Sequence, residues 1–262
     1  MKKISLYSYI FYSLSNTGNY FLNSIITFFV MDLQSRTYVE SIPSVEADFM
    51  QKVYIWMMLA LTLTGYVAYS TAQSELLLGI IFSSSFVFFG IILVELALVF
   101  WISSGIQRMS SNMAIGLFLL YSALNGLTLS VLLIAYTGAS VASTFFITAG
   151  MFGVMSMYGY TTKQDLSSWG NLLFMALIGL ILASIVNIFL QSSGLYWIIS
   201  YTGVLVFVGL TAYDTQKIKQ LAAQVIAESE EGRKVAILGA LRLYLDFINM
   251  FIFMLRILGN RR

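Results

Sequence analysis

Two aspartates stand in stretches of sequence that are otherwise apolar, and they are the residues with the clearest capacity for chemistry. Asp214 closes the apolar run 198–213, and Asp246 lies mid-way along the apolar run 235–258. A carboxylate at the depth of a bilayer costs on the order of 2.5–3.5 kcal/mol on insertion scales. A chain that carries this cost twice is predicted to use the groups to bind or move ions or protons, or to lock helices together.

Asp246 shares its helix with other polar side chains. Arg242, Asp246, Asn249 and Arg256 follow one another at steps of four, three and seven residues, which places them on one face of a helix with about 3.6 residues per turn. Two interpretations follow. Arg242 and Asp246 form an ion pair within the helix that only sets its register, or Asp246 meets Asp214, because consecutive helices usually pack together.

The second interpretation predicts a shared proton. Two like charges about 4 Å apart cost about 4 kcal/mol at an effective dielectric constant of about 20. Two carboxylates that meet in the membrane would therefore hold one proton between them and titrate as a unit. Arg242 would act as a switch, because its pairing with one carboxylate frees that proton.

Two more charged residues are secondary candidates. Glu95 lies deep in an apolar run, where a carboxylate is a candidate site by default; the alternative is a protonated or hydrogen-bonded contact between helices. Arg108 is predicted to be a loop charge that reaches the membrane surface, or to gate a cavity from the cytoplasmic side.

Composition fixes the class of protein. Of 262 residues, 59% are hydrophobic and 10% are charged, whereas a soluble domain carries about 25% charged residues, so we expect an all-α integral membrane protein. The chain has no cysteine and no histidine, which excludes thiolate and imidazole metal ligands. We find no phosphate-binding glycine loop and no basic patch interleaved with aromatic residues, and we expect neither enzymatic activity, nor a bound cofactor, nor nucleic-acid binding.

One catalytic alternative uses the two aspartates themselves. Intramembrane aspartyl proteases carry a Tyr-Asp and a Gly-x-Gly-Asp pattern. Tyr213 and Asp214 fit the first pattern, but Leu245 and Asp246 are not preceded by the glycines of the second. The sequence therefore does not favour proteolysis.

Seven segments approach the length of about 20 apolar residues that a membrane-spanning helix needs. They are 53–72, 76–102, 113–136, 141–160, 172–190, 196–213 and 235–258. Residues 51–262 are predicted to form the membrane domain, and residues 1–50 an interfacial arm on the cytoplasmic side. Pairs of small residues spaced four apart predict close helix contacts, namely Ser122 with Gly126, Ala149 with Gly153 and Gly179 with Ala183.

The distribution of lysine and arginine predicts the orientation. These residues occur before the first span and in every second connection thereafter, and the connections at 73–75, 137–140 and 191–195 have none. Because cytoplasmic loops carry the excess of basic residues, the N-terminus is predicted to be cytoplasmic. Seven full crossings would place Arg261 and Arg262 on the opposite side, so either the bias fails there or the last helix does not cross.

Two segments resemble the transmembrane Bax inhibitor motif family. They are Ala-Tyr-Asp-Thr-Gln-Lys-Ile at 212–218 and Leu-Tyr-Leu-Asp-Phe-Ile-Asn-Met-Phe at 243–251, the latter followed by Leu255-Arg256. The start of the first span and the segment 163–166 resemble the family more weakly. The resemblance implies a seven-helix bundle with the C-terminal helix at its centre, and it extends over about residues 51–259.

The resemblance also implies a function, a pH-sensitive leak of cations, usually calcium, with Asp214 and Asp246 as proton sensor and weak calcium site. Family members of this kind place an arginine near the end of the second helix against the pair. Ser103 stands there in this chain, and Arg108 follows five residues later. Arg242 is hypothesised to replace that arginine, and Arg256 is a further candidate charge partner.

Two other functions remain open at this stage. The first is a non-transporting modulator of membrane proteases or cell-death factors, which would bind a membrane protein partner through the N-terminal arm. The second is a proton-coupled transporter. Whichever function holds, we expect the protein to lie in the lipid bilayer of the bacterial plasma membrane. Calcium and protons are the expected ligands if the protein is an ion leak.

Overall fold

The computed structural model describes residues 20–225 and 229–262, and for residues 20–44 and 82 it describes the backbone alone. Regular structure in this part of the chain is helical, apart from one β-bridge between Tyr136 and Arg261. The α-helices are α1 (Tyr20–Ala72), α2 (Glu75–Phe82), α3 (Ser85–Gly105), α4 (Ser111–Ala135), α5 (Gly138–Thr161), α6 (Ser167–Leu190), α7 (Ser193–Ala222) and α8 (Glu230–Leu258), with a turn of 3-10 helix at Ile106–Arg108.

Backbone contacts divide the chain into two units, Met1–Ala47 and Asp48–Arg262, and the description below concerns the second. Most of the predicted arm at 1–50 lies in residues that are not described or are described by their backbone alone. The boundary between arm and membrane domain therefore stays a prediction.

The described residues contain seven helical segments long and apolar enough to cross a membrane. They lie in α1 and α3 to α8, which confirms the predicted all-α, seven-span class. Helices are expected in lipid because every backbone polar group must find its partner within the segment. Side chains cap the starts: Ser110, Thr137, Ser192 and Ser229 each accept a hydrogen bond from a backbone N–H three residues on, a typical N-cap.

The second span differs from its prediction. Hydropathy predicts one helix over 76–102, but the chain breaks into α2 and α3 at Ser83 and Ser84, and the candidate span runs from Ser85 to Arg108. Ser84 adopts an extended backbone, and its hydroxyl accepts a hydrogen bond from the Phe86 N–H at 3.2 Å. A serine side chain can bind backbone groups that would otherwise form helix hydrogen bonds. A hydropathy average does not include this effect, so it does not predict the break.

The sixth span extends past its charged end. The apolar run stops at Tyr213, but α7 continues to Ala222. Asp214 therefore stands inside a helix, where its backbone is fixed by hydrogen bonds on both sides.

The last helix, α8, lies at the centre of the bundle, as the family resemblance implies. About 61% of its membrane-crossing window is buried, against 6% for α6. It packs against α7 most extensively, and also against α5 and α4. Its core side chains, such as Ile237, Leu241 and Leu243, are completely buried.

The basic connections gather at one end of the bundle, which we call the basic end. The Glu230 carboxylate at the start of α8 accepts hydrogen bonds from the N–H and hydroxyl of Ser111, at 2.6 and 2.9 Å. The Lys219 ammonium near the end of α7 donates to the Tyr160 carbonyl at 3.0 Å. These contacts join the α3–α4, α5–α6 and α7–α8 connections.

The C-terminal residues lie at the opposite end, which we call the tail end. The N–H of Thr137 donates to the Asn260 carbonyl at 3.1 Å, and the N–H of Arg262 donates to the Ala135 carbonyl at 3.0 Å. The α8 helix therefore runs the whole length of the bundle. Arg261 and Arg262 lie at the end opposite the basic connections, and the side of the membrane on which each end lies stays a prediction.

Candidate functional site

The structure brings Asp214 of α7 and Asp246 of α8 together. Their carboxyl groups lie close enough to interact directly with each other. Asp246 is only 4% exposed, and the side chain of Asp214 is 14% exposed. Ionised carboxylates are acceptors only, so a hydrogen bond between two carboxyl groups requires a proton on one of them. The arrangement is therefore one in which the two groups can share a single proton.

Arg242 contacts this pair from the same helix as Asp246 but reaches across to the other aspartate. Its Nη1 lies 3.8 Å from Oδ1 of Asp214, and its side chain is 43% exposed. The ion pair that the structure shows for Arg242 is thus between helices, and Arg242 also lies near enough to act electrostatically on Asp246. The contact is long for an ion pair, and its guanidinium side is the more exposed one.

One oxygen of the pair has no partner. Oδ2 of Asp246 is fully buried and accepts no hydrogen bond from any described residue. A buried acceptor left unsatisfied costs about 1–3 kcal/mol, and in a native site it indicates a role for a water molecule or an ion. Two buried hydroxyls of α5, those of Thr144 and Thr148, are in the same situation. The α5 helix packs on α8 through ring contacts such as Phe152 on Phe247.

Glu95 of α3 has a very different environment. Its Oε1 accepts a hydrogen bond from the Thr128 hydroxyl at 3.0 Å, and its Oε2 accepts one from the Asn125 amide at 3.3 Å. Asn125 in turn accepts from the Tyr244 hydroxyl at 3.1 Å, which also contacts the Thr64 hydroxyl at 2.7 Å. The structure thus places Glu95 in a hydrogen-bonded contact that joins α1, α3, α4 and α8.

The other predicted charge partners lie elsewhere. Arg108 ends the 3-10 helix and is exposed, and within the described part of the chain it makes no hydrogen bond or ion pair with the two aspartates. Arg256 lies towards the tail end, where its guanidinium stands 5.1 Å from the Phe253 ring centroid. Asn249 donates to the Leu245 carbonyl of its own helix at 2.8 Å. Of the predicted arginines, only Arg242 reaches the pair.

Sequence reasoning missed two side chains next to Asp214 that join α7 to α5 and to the α5–α6 connection. The Thr215 hydroxyl lies 3.0 Å from that of Ser156, which also contacts the Tyr54 hydroxyl. The Gln216 side chain accepts a hydrogen bond from the Leu166 N–H at 2.9 Å. Their place in the sequence could have identified them, because both residues directly follow Asp214 in the segment 212–218. Their side chains contact other neighbours than Asp214 does.

The site offers little to a firmly bound metal. No group of three or more acidic side chains able to hold a metal is present among the residues described. The two aspartates supply at most four oxygens, one of them already beside Arg242, whereas calcium takes six to eight. Any further oxygen ligands would have to come from backbone carbonyl groups or from water.

Comparison with known proteins agrees with the resemblance found in the sequence. The profile of a family described as "Inhibitor of apoptosis-promoting Bax1" matches residues 46–262. The chain belongs to the Bax inhibitor family. The match contains Asp214, Asp246, Arg242 and Glu95, and it covers all of the second structural unit, so every contact described above lies within the Bax inhibitor homology region.

Several bacterial relatives cover nearly the same region. The chain is similar to the inner membrane protein YbhL of Escherichia coli (strain K12), with 55% identity over 215 residues, or 82% of this chain and 92% of the relative. It is 46% identical over 218 residues to a protein of Borreliella burgdorferi, covering 83% and 94%. It is 46% identical over 216 residues to protein RP147 of Rickettsia prowazekii, covering 82% and 90%.

Proposed function

We propose that this Bax inhibitor family protein is a pH-sensitive cation leak channel that favours calcium, with the Asp214–Asp246 pair as its proton sensor. One observation carries the proposal. Asp246 is a buried carboxyl group that lies against a second carboxyl group, and its Oδ2 has no hydrogen-bond donor among the described residues. A carboxyl group that served only to join helices would have its oxygens partnered, as those of Glu95 are.

The shared proton keeps the path shut. While it is present, the hydrogen bond between the carboxyl groups holds α7 against α8. Its loss leaves two adjacent negative charges, whose repulsion is about 4 kcal/mol at about 4 Å and an effective dielectric constant of about 20. Separation of the helices or entry of a cation relieves this repulsion. Flux is therefore expected to rise with pH.

Arg242 modulates this equilibrium. It is the charged group that the structure shows against Asp214, and its positive charge favours the deprotonated pair. Because its side chain is half exposed, movement towards solvent removes that influence and returns the proton to the pair. Within the described residues, no second basic side chain forms an ion pair with either aspartate.

Calcium is the favoured ion because it prefers oxygen ligands and accepts irregular coordination. Two carboxylates form part of a shell, and water or backbone carbonyl groups would complete it. Conduction requires binding weak enough for the ion to leave. A site with few protein ligands meets that requirement and makes calcium the substrate of the protein, not a resident cofactor.

The proposed location is the bacterial plasma membrane, since the similar protein of Escherichia coli is named an inner membrane protein. The positive-inside bias puts the basic end, and the start of the first span, in the cytoplasm. The tail end then faces the outside, and the pair is reached from the cytoplasm through the half-exposed Arg242.

Calcium flux into liposomes that contain the purified full chain tests the proposal across a pH series. We expect flux that rises with pH, and we expect Asp214→Asn and Asp246→Asn to abolish that dependence. Asp165→Asn, which changes an exposed aspartate in the α5–α6 connection, is the matched control. Absence of flux at every pH would instead favour a non-transporting modulator. Flux driven by a proton gradient and saturating in an organic substrate would favour a transporter.

A further inference from the structure

A cavity of about 450 Å³ lies at the tail end of the bundle, between α4, α6, α7 and α8. Its polar lining consists of six side chains, namely Tyr136, Ser184, Asn187, Tyr196, Arg256 and Arg261. The lining contains two guanidinium groups and no carboxylate. The lining includes neither Asp214 nor Asp246, and the cavity takes no part in the proposed gating.

The two arginines converge on one tyrosine. The Nη2 of Arg261 donates a hydrogen bond to the Tyr196 hydroxyl at 3.0 Å. The guanidinium carbon of Arg256 and that of Arg261 each lie 5.9 Å from the centroid of the Tyr196 ring. Neither arginine forms an ion pair with any described residue. Each guanidinium has five N–H donors in a planar fork, so most of these donors remain available to a ligand.

The chain builds this arrangement through its C-terminal residues. The N–H of Asn260 donates to the Ser140 hydroxyl at 2.9 Å, and the N–H of Thr137 donates to the Asn260 carbonyl. A side chain at Gly259 would clash with the Tyr136 ring and with the carbonyl group of Leu255. The turn after α8 therefore needs glycine, and it directs Arg261 back over the end of the bundle.

The rest of the cavity is apolar. Leu132, Ile188, Ile199 and Ile252 line it, one from each of the four surrounding helices. A space lined by two arginines and by aliphatic side chains matches a molecule with an anionic head and a hydrocarbon chain. The position also matches, because the ends of spanning helices, with tyrosine beside them, lie at the level of lipid headgroups.

We propose that this cavity binds an anionic phospholipid, with the phosphate held by Arg256 and Arg261 and an acyl chain along the aliphatic lining. Arginine forks match the geometry of phosphate oxygens and form charge-assisted hydrogen bonds with them. Inorganic phosphate shares the head chemistry but makes no use of the apolar half. The proposal does not depend on the ion leak, because none of the cavity residues belongs to the aspartate pair.

Lipid binding to the purified, delipidated full chain tests this site. Native mass spectrometry and thermal unfolding in detergent would compare phosphatidylglycerol, phosphatidylcholine and inorganic phosphate. We expect phosphatidylglycerol to bind and to raise the melting temperature more than the other two. Arg256→Gln should weaken phosphatidylglycerol binding about tenfold, which corresponds to about 1.4 kcal/mol. Arg108→Gln, which removes an exposed arginine at the basic end, should leave binding unchanged.

Two further variants protect the test against misfolding. Arg256→Lys keeps the charge and should retain part of the affinity, and Ile252→Trp should fill the apolar half and reduce lipid binding with both arginines in place. Equal binding of phosphatidylglycerol by the wild-type chain and by Arg256→Gln would overturn the proposal. Stabilisation by inorganic phosphate as large as that by phosphatidylglycerol would overturn the assignment to lipid.

Discussion

The bundle contains two regions with a buried acid, and they solve the same physical problem in opposite ways. Glu95 is 8% exposed and Asp246 is 4% exposed, so burial does not distinguish them. Both oxygens of Glu95 accept hydrogen bonds from neutral donors, Thr128 and Asn125. Asp246 faces a second carboxyl group and leaves one oxygen unpartnered among the described residues. The identity of the partners, and not the depth of the acid, separates the two regions.

The difference has consequences for rigidity. A buried polar network in which every member is satisfied fixes the packing of the helices it joins. The Glu95 network includes Tyr244, whose ring packs edge-on against Phe118 and Tyr121. In the proposed mechanism the aspartate pair is held by one shared proton, and Arg242 adds a contact of 3.8 Å. We therefore expect the Glu95 region to stay intact while the Asp214–Asp246 region changes its state.

The largest expected effect on stability comes from the satisfied region. Glu95→Leu should lower the free energy of unfolding by about 1–3 kcal/mol, because it leaves the Asn125 amide buried without its acceptor, while the Thr128 hydroxyl keeps only the Asn125 carbonyl. Thermal or denaturant unfolding in detergent measures this. Glu95→Gln is the matched control, since it keeps the shape and at least one acceptor and should cost much less. A Leu variant as stable as the wild-type chain would refute the structural role of Glu95.

Replacing one acid of the aspartate pair should have little effect on stability at neutral pH. It should instead change how stability varies with pH. Asp246→Asn should change the free energy of unfolding at neutral pH by less than about 1 kcal/mol, because an amide can donate the hydrogen bond that the shared proton now provides. The wild-type chain should lose stability as pH rises and the two carboxylates repel each other, and the variant should not. Unfolding of both proteins across a pH series measures the difference.

Parallel slopes for Asp246→Asn and the wild-type chain would show that the pair does not titrate in this range. Asp165→Asn controls for the removal of one negative charge as such, and its own small effect on the slope is expected to have the opposite sign. If the variant unfolds as soon as it is extracted from the membrane, Asp214→Asn carries the same test from the other helix.

Part of this comparison was open to prediction from the sequence. Length and hydropathy gave the seven spans, and the order of the helices was enough to suggest that Asp214 and Asp246 meet. The Glu95 network was not predictable, because Thr64 and Thr128 look neutral in an apolar run and Tyr244 shares a motif with Asp246. Only the packing shows that Tyr244 and Asp246 face different helices.

Helix contacts at small residues show the same limit. Gly126 does mark a close approach, since a Cβ there would lie 2.8 Å from the Thr64 carbonyl oxygen. Gly153 and Gly179, predicted on the same spacing, have no atom within 4 Å of such a Cβ, so that prediction is wrong for them. A side chain at Gly203 would meet the Phe253 ring at 2.6 Å, although no spacing rule singles it out. A spacing rule does not tell which face of a helix meets lipid.

A smaller effect should come from Arg242. Arg242→Ala removes a positive charge that favours the deprotonated pair, so the midpoint of calcium flux should move to higher pH. The contact is 3.8 Å long and the arginine side chain is 43% exposed. A pair of this kind contributes up to about 1 kcal/mol, so the shift should be less than about one pH unit. Arg233→Ala, which breaks an exposed pair with Glu230 at 3.9 Å, is the control.

The Arg242→Lys variant sharpens that measurement. Lysine keeps the charge but not the planar fork, so a midpoint close to that of the wild-type chain would assign the effect to charge. A midpoint that Arg242→Ala leaves unchanged would remove Arg242 from the mechanism and leave the pair to titrate alone.

The smallest effect on stability should come from Asp165, an acid outside the membrane. The direction in which its contribution to stability changes with pH should be opposite to that of the buried pair. Hydrogen bonds from the side chain and the backbone N–H of Ser167, the latter at 2.9 Å, lower the pKa of Asp165 below its ordinary value. A lowered pKa stabilises the folded state above the unfolded pKa, and this contribution disappears as pH falls through the folded value. Asp165→Asn should therefore be slightly less stable than the wild-type chain at neutral pH and equally stable in acid. The aspartate pair should respond in the opposite direction. The slopes of stability against pH for the two variants, measured in one unfolding series, therefore distinguish an ionised carboxylate that accepts hydrogen bonds from two carboxyl groups that share a proton.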